Sequence, residues 1–204
     1  MTEADNAAHL TNSADLGFNL KTKTPYFSSE IGLFNGEGYH GVEDGEAMSL
    51  EWRATTHLMG NGKDKMHKSD TYANASFFGQ LNEKSAKHGN EDLNWYGIHA
   101  VYNQPEFLIA AQYIKTKDAI VDYSGSGYSI NGSVRFRDFS VIGRYDNFEL
   151  DSGVDKTRMI AGLTYQYNKN VEFVANVLTE KIEDNLGATT ADATALMFTA
   201  EVNW

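Results

Sequence analysis

The sequence predicts an all-β chain folded as an antiparallel transmembrane β-barrel, and three observations predict it. Apolar and polar residues alternate over segments of about ten residues, the length a tilted strand needs to cross a bilayer. The alternation runs into the final residue, Trp204, where a soluble chain is usually frayed and polar. Polar links between the segments alternate in length, as in barrels with short turns at one rim and long loops at the other.

The first segment, Leu16 to Thr22, is followed by a short link at Thr24-Pro25 and a second strand around Ile31. Met48 to Leu58 and Ala73 to Asn82 each alternate. Ile98 and Ala100, then Ile109 and Ala111, mark the next two strands, with Asn103-Gln104-Pro105 between them. Ile130, Gly132, Val134 and Phe136 face away from Asn131, Ser133, Arg135 and Arg137; after Arg137-Asp138, Val141, Gly143 and Tyr145 face away from Ile142, Arg144 and Asp146. Ala161, Leu163, Tyr165 and Tyr167 oppose Gly162, Thr164, Gln166 and Asn168, and across Asn168-Lys169-Asn170 the pattern resumes in Val171, Phe173, Ala175 and Val177. Leu196, Phe198, Ala200, Val202 and Trp204 end the chain, giving about eleven strands.

Longer polar links run through 36–46, 83–92, 116–124, 147–156 and 180–192. The 60–70 link (GNGKDKMHKSD) breaks the rule, being long where a short turn is expected. GSGYSING (125–132) lacks the lysine and the strand-to-helix context of a phosphate loop and reads as a loop entering a strand.

Aromatic placement is an independent test. Beside the short turns, Phe27, Tyr102, Phe107, Phe136, Phe139, Tyr165, Tyr167, Phe173 and Trp204 occupy the apolar face; toward the long loops lie Phe18, Trp52, Tyr96, Tyr113, Tyr128 and Tyr145. Small and aliphatic residues, Ala54, Ala75, Ile98, Ala100, Ile109, Ala111 and Ala175, lie between. Two membrane interfaces select such a pair of aromatic belts around an aliphatic band.

Composition excludes other classes. No apolar run approaches the length of a transmembrane helix, and mean hydropathy is −0.46. Cysteine is absent, which removes disulfides and thiolate metal sites. A net charge of −11 with scattered Lys and Arg argues against nucleic acid. His40, His57, His67, His88 and His99 are dispersed, and Glu43, Asp44 and Glu46 read as an exposed acidic loop, so no metal is expected. No nucleophile, base and acid occur at recognisable spacing; neither an enzymatic activity nor a cofactor is expected.

An odd strand count places the first and last strands in the same direction, so residues 1–14 (MTEADNAAHLTNSA) become an external-loop remnant and 15–204 the C-terminal part of a longer barrel. IGLFNGEG (31–38), Gly143-Arg144-Tyr145-Asp146 and IAGLTYQYNKNVEFVANV (160–177), with the aromatic C-terminus, resemble the phosphate-selective porin O and P family. The resemblance spans essentially the whole chain. It implies a barrel of about sixteen strands, trimeric when complete, in the outer membrane of a Gram-negative bacterium, with lipid and small hydrophilic solutes or ions as partners.

The inward positions expected to line the pore are Lys21, Glu30, Glu51, Arg53, Arg135, Arg137, Arg144, Asp146, Glu172 and Glu201, with His57. Arg135, Arg137 and Arg144 could form a basic strip, whereas Glu51 and Asp146 sit two positions from arginines on their own strands and could pair with them. The expected function is passive diffusion through a water-filled channel. Its rivals are a plugged barrel serving as anchor or adhesin, and a soluble all-β binding module with apolar side chains turned inward.

Overall fold

In the computed structural model, residues 17–35, 48–60, 66–85, 91–118 and 124–202 are described. They form one antiparallel sheet of eleven strands in sequence order: β1 (Gly17–Lys23), β2 (Phe27–Phe34), β3 (Met48–Met59), β4 (Tyr72–Ser85), β5 (Glu91–Asn103), β6 (Phe107–Asp118), β7 (Gly125–Phe136), β8 (Phe139–Leu150), β9 (Asp155–Asn168), β10 (Val171–Glu183) and β11 (Thr189–Val202). Every strand pairs with its sequence neighbour, and the sheet is open: β1 and β11 are its two edges. Residues 1–14, the acidic loop Glu43 to Glu46, His40, His88 and Trp204 lie outside the described residues.

Register turns the alternation into two faces. Trp52, Gly79 and Tyr96 are directly opposite one another across β3, β4 and β5, as are Glu51, Gln80 and Trp95 one residue away on the other face. The apolar face is exposed and the polar face is covered, the reverse of a soluble sandwich. Leu163 is 57% exposed, while its neighbour Thr164 is 8%. Ser49, Thr55, Ser76, Gln80, Asn82, Gln112, Ser129 and Asp146 are buried on the polar face; Ile98, Ile109, Ile130, Val141 and Phe198 are exposed on the other. No core of packed apolar side chains lies between layers, because the described residues form one layer.

The sheet curls around its polar face, and one contact measures the curl. Lys68, in the link between β3 and β4, places Nζ 3.0 Å from Glu172 Oε2 on β10. In a flat sheet β4 and β10 would be about 28 Å apart, at about 4.7 Å per strand step. The four residues from Lys68 to Tyr72 and the lysine side chain together reach only about 20 Å. Curvature supplies the difference.

Strands are longer than the hydropathy predicts. β8 runs to Leu150 and β10 to Glu183, which shortens two expected loops, 147–156 and 180–192, to 151–154 and 184–188. Asn147 pairs with Thr157, Glu149 with Asp155 and Lys181 with Asp192, so the ladder continues where both faces have become polar. Hydrogen bonding of the main chain does not depend on which side chains it carries. The two-residue β7–β8 turn closes at Arg137, φ 54°, the only non-glycine described with positive φ, and the four-residue β8–β9 turn at Gly153, φ 85°.

GSGYSING is strand from its first residue, not a loop entering one. The Phe148 ring lies across the glycines: a Cβ on Gly127 would come within 2.5 Å of Phe148 Cδ2 and of the Asn147 carbonyl oxygen. Phe78 and Phe34 cover Gly97 and Gly17 in the same way, each from the neighbouring strand. Cross-strand aromatic cover compensates the missing glycine side chains.

Candidate functional site

Polar side chains converge along the whole length of the polar face, and its organisation follows from strand register. Lys21, Glu30 and Arg53 are directly opposite in turn across β1, β2 and β3. Lys21 Nζ is 2.9 Å from Glu30 Oε1, and Asn19 Nδ2 also donates to that oxygen. A second row, Asp146, Arg158 and Glu180, crosses β8, β9 and β10. Arg158 Nε donates to Glu180 Oε1 at 2.6 Å, and Arg144 Nε reaches both oxygens of Asp146 at 2.9 and 2.8 Å. Sign alternates along each row, so neighbouring charges offset one another.

The three arginines expected to form a basic strip are separately engaged. Arg144 is held by Asp146. Arg135 Nη1 donates to the carbonyls of Gln104 at 2.8 Å, Lys68 at 3.1 Å and Pro105 at 3.3 Å, and Nη2 donates to Asn103 Oδ1 at 3.0 Å. Arg137 departs from its expected place: it lies in the β7–β8 turn, exposed, with its guanidinium 5.3 Å from the Phe136 ring centroid. The turn needs a residue of positive φ there, which takes Arg137 off the strand's inner face.

Glu51 faces the same side as Arg53 and lines with it a recess that includes Asn19, Glu30, Phe78 and Trp95. Glu172 and Glu201 are directly opposite across β10 and β11, a like-charge pair that Lys68 meets from the far side of the sheet. His57 bonds Asn74 Oδ1 through Nδ1 at 2.9 Å. His99, opposite Ser76 and Gln112, completes the inner histidines. Among the described residues no group of three potential metal ligands forms.

Between the charged rows runs a chain of neutral hydrogen bonds. Trp95 Nε1 donates to Gln80 Oε1 at 2.9 Å, and Gln80 Nε2 donates to Ser49 Oγ at 2.8 Å. Thr55 and Ser76 hydroxyls are 2.9 Å apart. His57 Nε2, Asn82 Oδ1 and Asn131 Oδ1 are buried on this face without a protein partner. Buried polar atoms of this kind are normally satisfied by water, so the concave side is chemically suited to hold it.

Two features of the face escape a reading of the sequence by polarity. Trp95, Ile114 and Phe148 are buried apolar residues on the polar side, and Phe78 packs edge-on against Trp95 with centroids 5.8 Å apart. Arg158 and Glu180 fall at the margins of stretches that look like loops; their parity with Thr164 and Asn176 is the signal that assigns them inward.

The opposite face carries the aromatic belts. Near the short turns Phe139 stacks on Tyr165 at 4.9 Å, Tyr102 meets Phe107 at 5.7 Å and Tyr167 meets Phe173 at 6.3 Å. Near the loops Trp52 and Phe77 are 6.0 Å apart and Tyr128 and Tyr145 5.9 Å. Among the described residues, strand parity places the charges of this face, such as Lys115, Glu149, Asp155, Lys181 and Asp192, at the loop end and none between the belts.

Comparison with models of known protein families, with characterised proteins and with solved structures finds no match.

Proposed function

We propose that this chain is wall of a bacterial outer-membrane porin, a water-filled channel through which small hydrophilic solutes or ions diffuse passively. The observation that carries the reading is the inverted burial: an exposed apolar face and a covered polar one, with neighbouring residues as different as Leu163 and Thr164. In water that exposed apolar surface would be costly, at roughly 25 cal/mol per Å². Against lipid tails it costs nothing, and the belts around a band without charge suit two membrane interfaces.

A soluble sandwich requires the apolar side chains to face one another across two layers, and the single layer here offers them no partner. The polar concave face suits a conducting interior better than an inert anchor. On this reading the barrel closes with further strands of the phosphate-selective type that the sequence resembles, about sixteen in all, as a trimer with short turns on the periplasmic side. The channel works by geometry and fixed charge, with no catalytic step and no cofactor.

Because the charged rows alternate in sign, the channel's ion preference is weak. Reconstitution of the complete barrel, with the strands that close it, in a planar bilayer tests the function. Stepwise single-channel currents with modest reversal potentials are expected; a protein that enters the bilayer and never conducts would leave only the anchor.

A further inference from the structure

The link between β3 and β4 is where a short turn belongs, and its described part does not extend away from the sheet. Met66–Asp70 folds back over the polar face. Its own turn is tied by His67 N–H to Asp70 Oδ2 at 2.9 Å and by Asp70 N–H to the His67 carbonyl at 3.0 Å. Asn103 Nδ2 on β5 donates to the carbonyls of Lys68, at 3.3 Å, and of Asp70. Arg135, at the end of β7, donates to the Lys68 carbonyl as well. From this clamp the Lys68 side chain continues to Glu172 on β10.

We infer that Met66–Asp70 is the constriction of the channel at its turn end, with Lys68 the solute-screening residue in it. The inference rests on the channel reading above. Three strands, β5, β7 and β10, hold the segment from different sides of the curl, so it crosses the space they enclose and does not lie along one wall. Two of the anchors grip main chain. Asn103 is buried to 1% exposure, which places its amide as a fixed part of the wall. The Lys68 side chain is 71% exposed even with Glu172 as partner, so its ammonium faces the open interior and meets passing solute.

The charges also have a reason to be there. Register sets Glu172 opposite Glu201, and like charges directly opposite destabilise a strand pair. Lys68 offsets that repulsion from across the curl. An anionic solute at the constriction competes with Glu172 for Lys68, while Arg135, whose described donations go to neutral oxygens, adds positive charge beneath it.

These 204 residues contain no cysteine, so Lys68→Cys in the complete barrel, with any cysteine of its further strands replaced by serine, creates a unique thiol that can be modified inside a conducting bilayer channel. Reaction with a sulfonatoethyl methanethiosulfonate adds bulk and a negative charge. Single-channel current should fall by roughly a third or more, and selectivity should move toward cations. Lys169→Cys, in the β9–β10 turn, is the control and should leave the current unchanged. Releasing the clamp with Asn103→Ala and Arg135→Ala should raise conductance and current noise. Conducting channels indifferent to modification at position 68 would overturn the constriction and leave the porin intact. Failure of the unmodified complete barrel to conduct at all would overturn both.

Discussion

Arg144 and Asp146 are two residues apart on one strand and on one face, and the guanidinium Nε reaches both carboxylate oxygens. The pair is largely covered, 16% and 13% exposed. Arg158 stands opposite Asp146 on the next strand. The carboxylate therefore sits between two cations, and the basic character of this wall depends on it.

Asp146→Asn should move the reversal potential toward anions under a salt gradient, because Arg144 and Arg158 lose a shared counter-charge. Replacing Arg135, Arg137 and Arg144 together should move it toward cations, with Arg137 adding little from its place in the turn. Anion selectivity that is strong and survives the triple replacement would show that this wall does not set the preference.

Facing is testable by neighbouring positions. Arg at Ala175 or Leu163 should destabilise insertion by about 2–4 kcal/mol, the cost of a basic residue facing lipid near mid-membrane. At Asn176 the same arginine points into the polar interior and should cost little. Urea-dependent folding into lipid vesicles measures the difference. Equal effects at the two registers would sink the membrane reading.

Two glycines in adjacent strands should respond oppositely to alanine. At Gly127 the new Cβ would lie 2.5 Å from both the Asn147 carbonyl oxygen and the Phe148 ring, and one of those atoms is main chain. A loss of about 1–3 kcal/mol is expected. Gly143 has nothing within 4 Å of its would-be Cβ, so Gly143→Ala should be neutral or stabilise by up to about 1 kcal/mol. Denaturant midpoints of the two variants should fall on opposite sides of, or unequally from, the parent; a larger loss at Gly143 would contradict the cover of Phe148.

Strand order, strand facing and the aromatic belts were legible in the sequence because a two-residue period is a direct imprint of the pleat. Leu163 and Thr164 could be assigned to opposite faces from the alternation alone. Strand ends were not legible at Asn147 to Thr157 or Lys181 to Asp192, where polar side chains on both faces hide a ladder made by the main chain. The inner apolar residues Trp95 and Phe148 were missed for a related reason. Their partners are glycines and an amide on neighbouring strands, which become neighbours only through register. Nor does any local pattern announce that Lys68 meets Glu172, 104 residues on. That contact follows from curvature, a property of the whole sheet.

The edges supply the last prediction. β1 is exposed along all seven residues and β11 along all fourteen, and each is hydrogen-bonded on one side, to β2 and to β10. Within a bilayer an unpaired amide or carbonyl costs several kcal/mol, and an open edge presents a row of them. β1 and β11 run in the same direction, since an odd number of antiparallel strands separates the two ends of the sheet by an even number of reversals. They could meet each other only in parallel, against the pattern of every other pair. The 204-residue chain refolded alone should therefore give no stable conducting monomer, and channels should require further strands between these edges. Detergent-resistant folding followed by single-channel recording of the chain by itself checks this. Long-lived, uniform conductance from a monomer would mean that the two edges close directly, and the account of them given by strand direction would be lost.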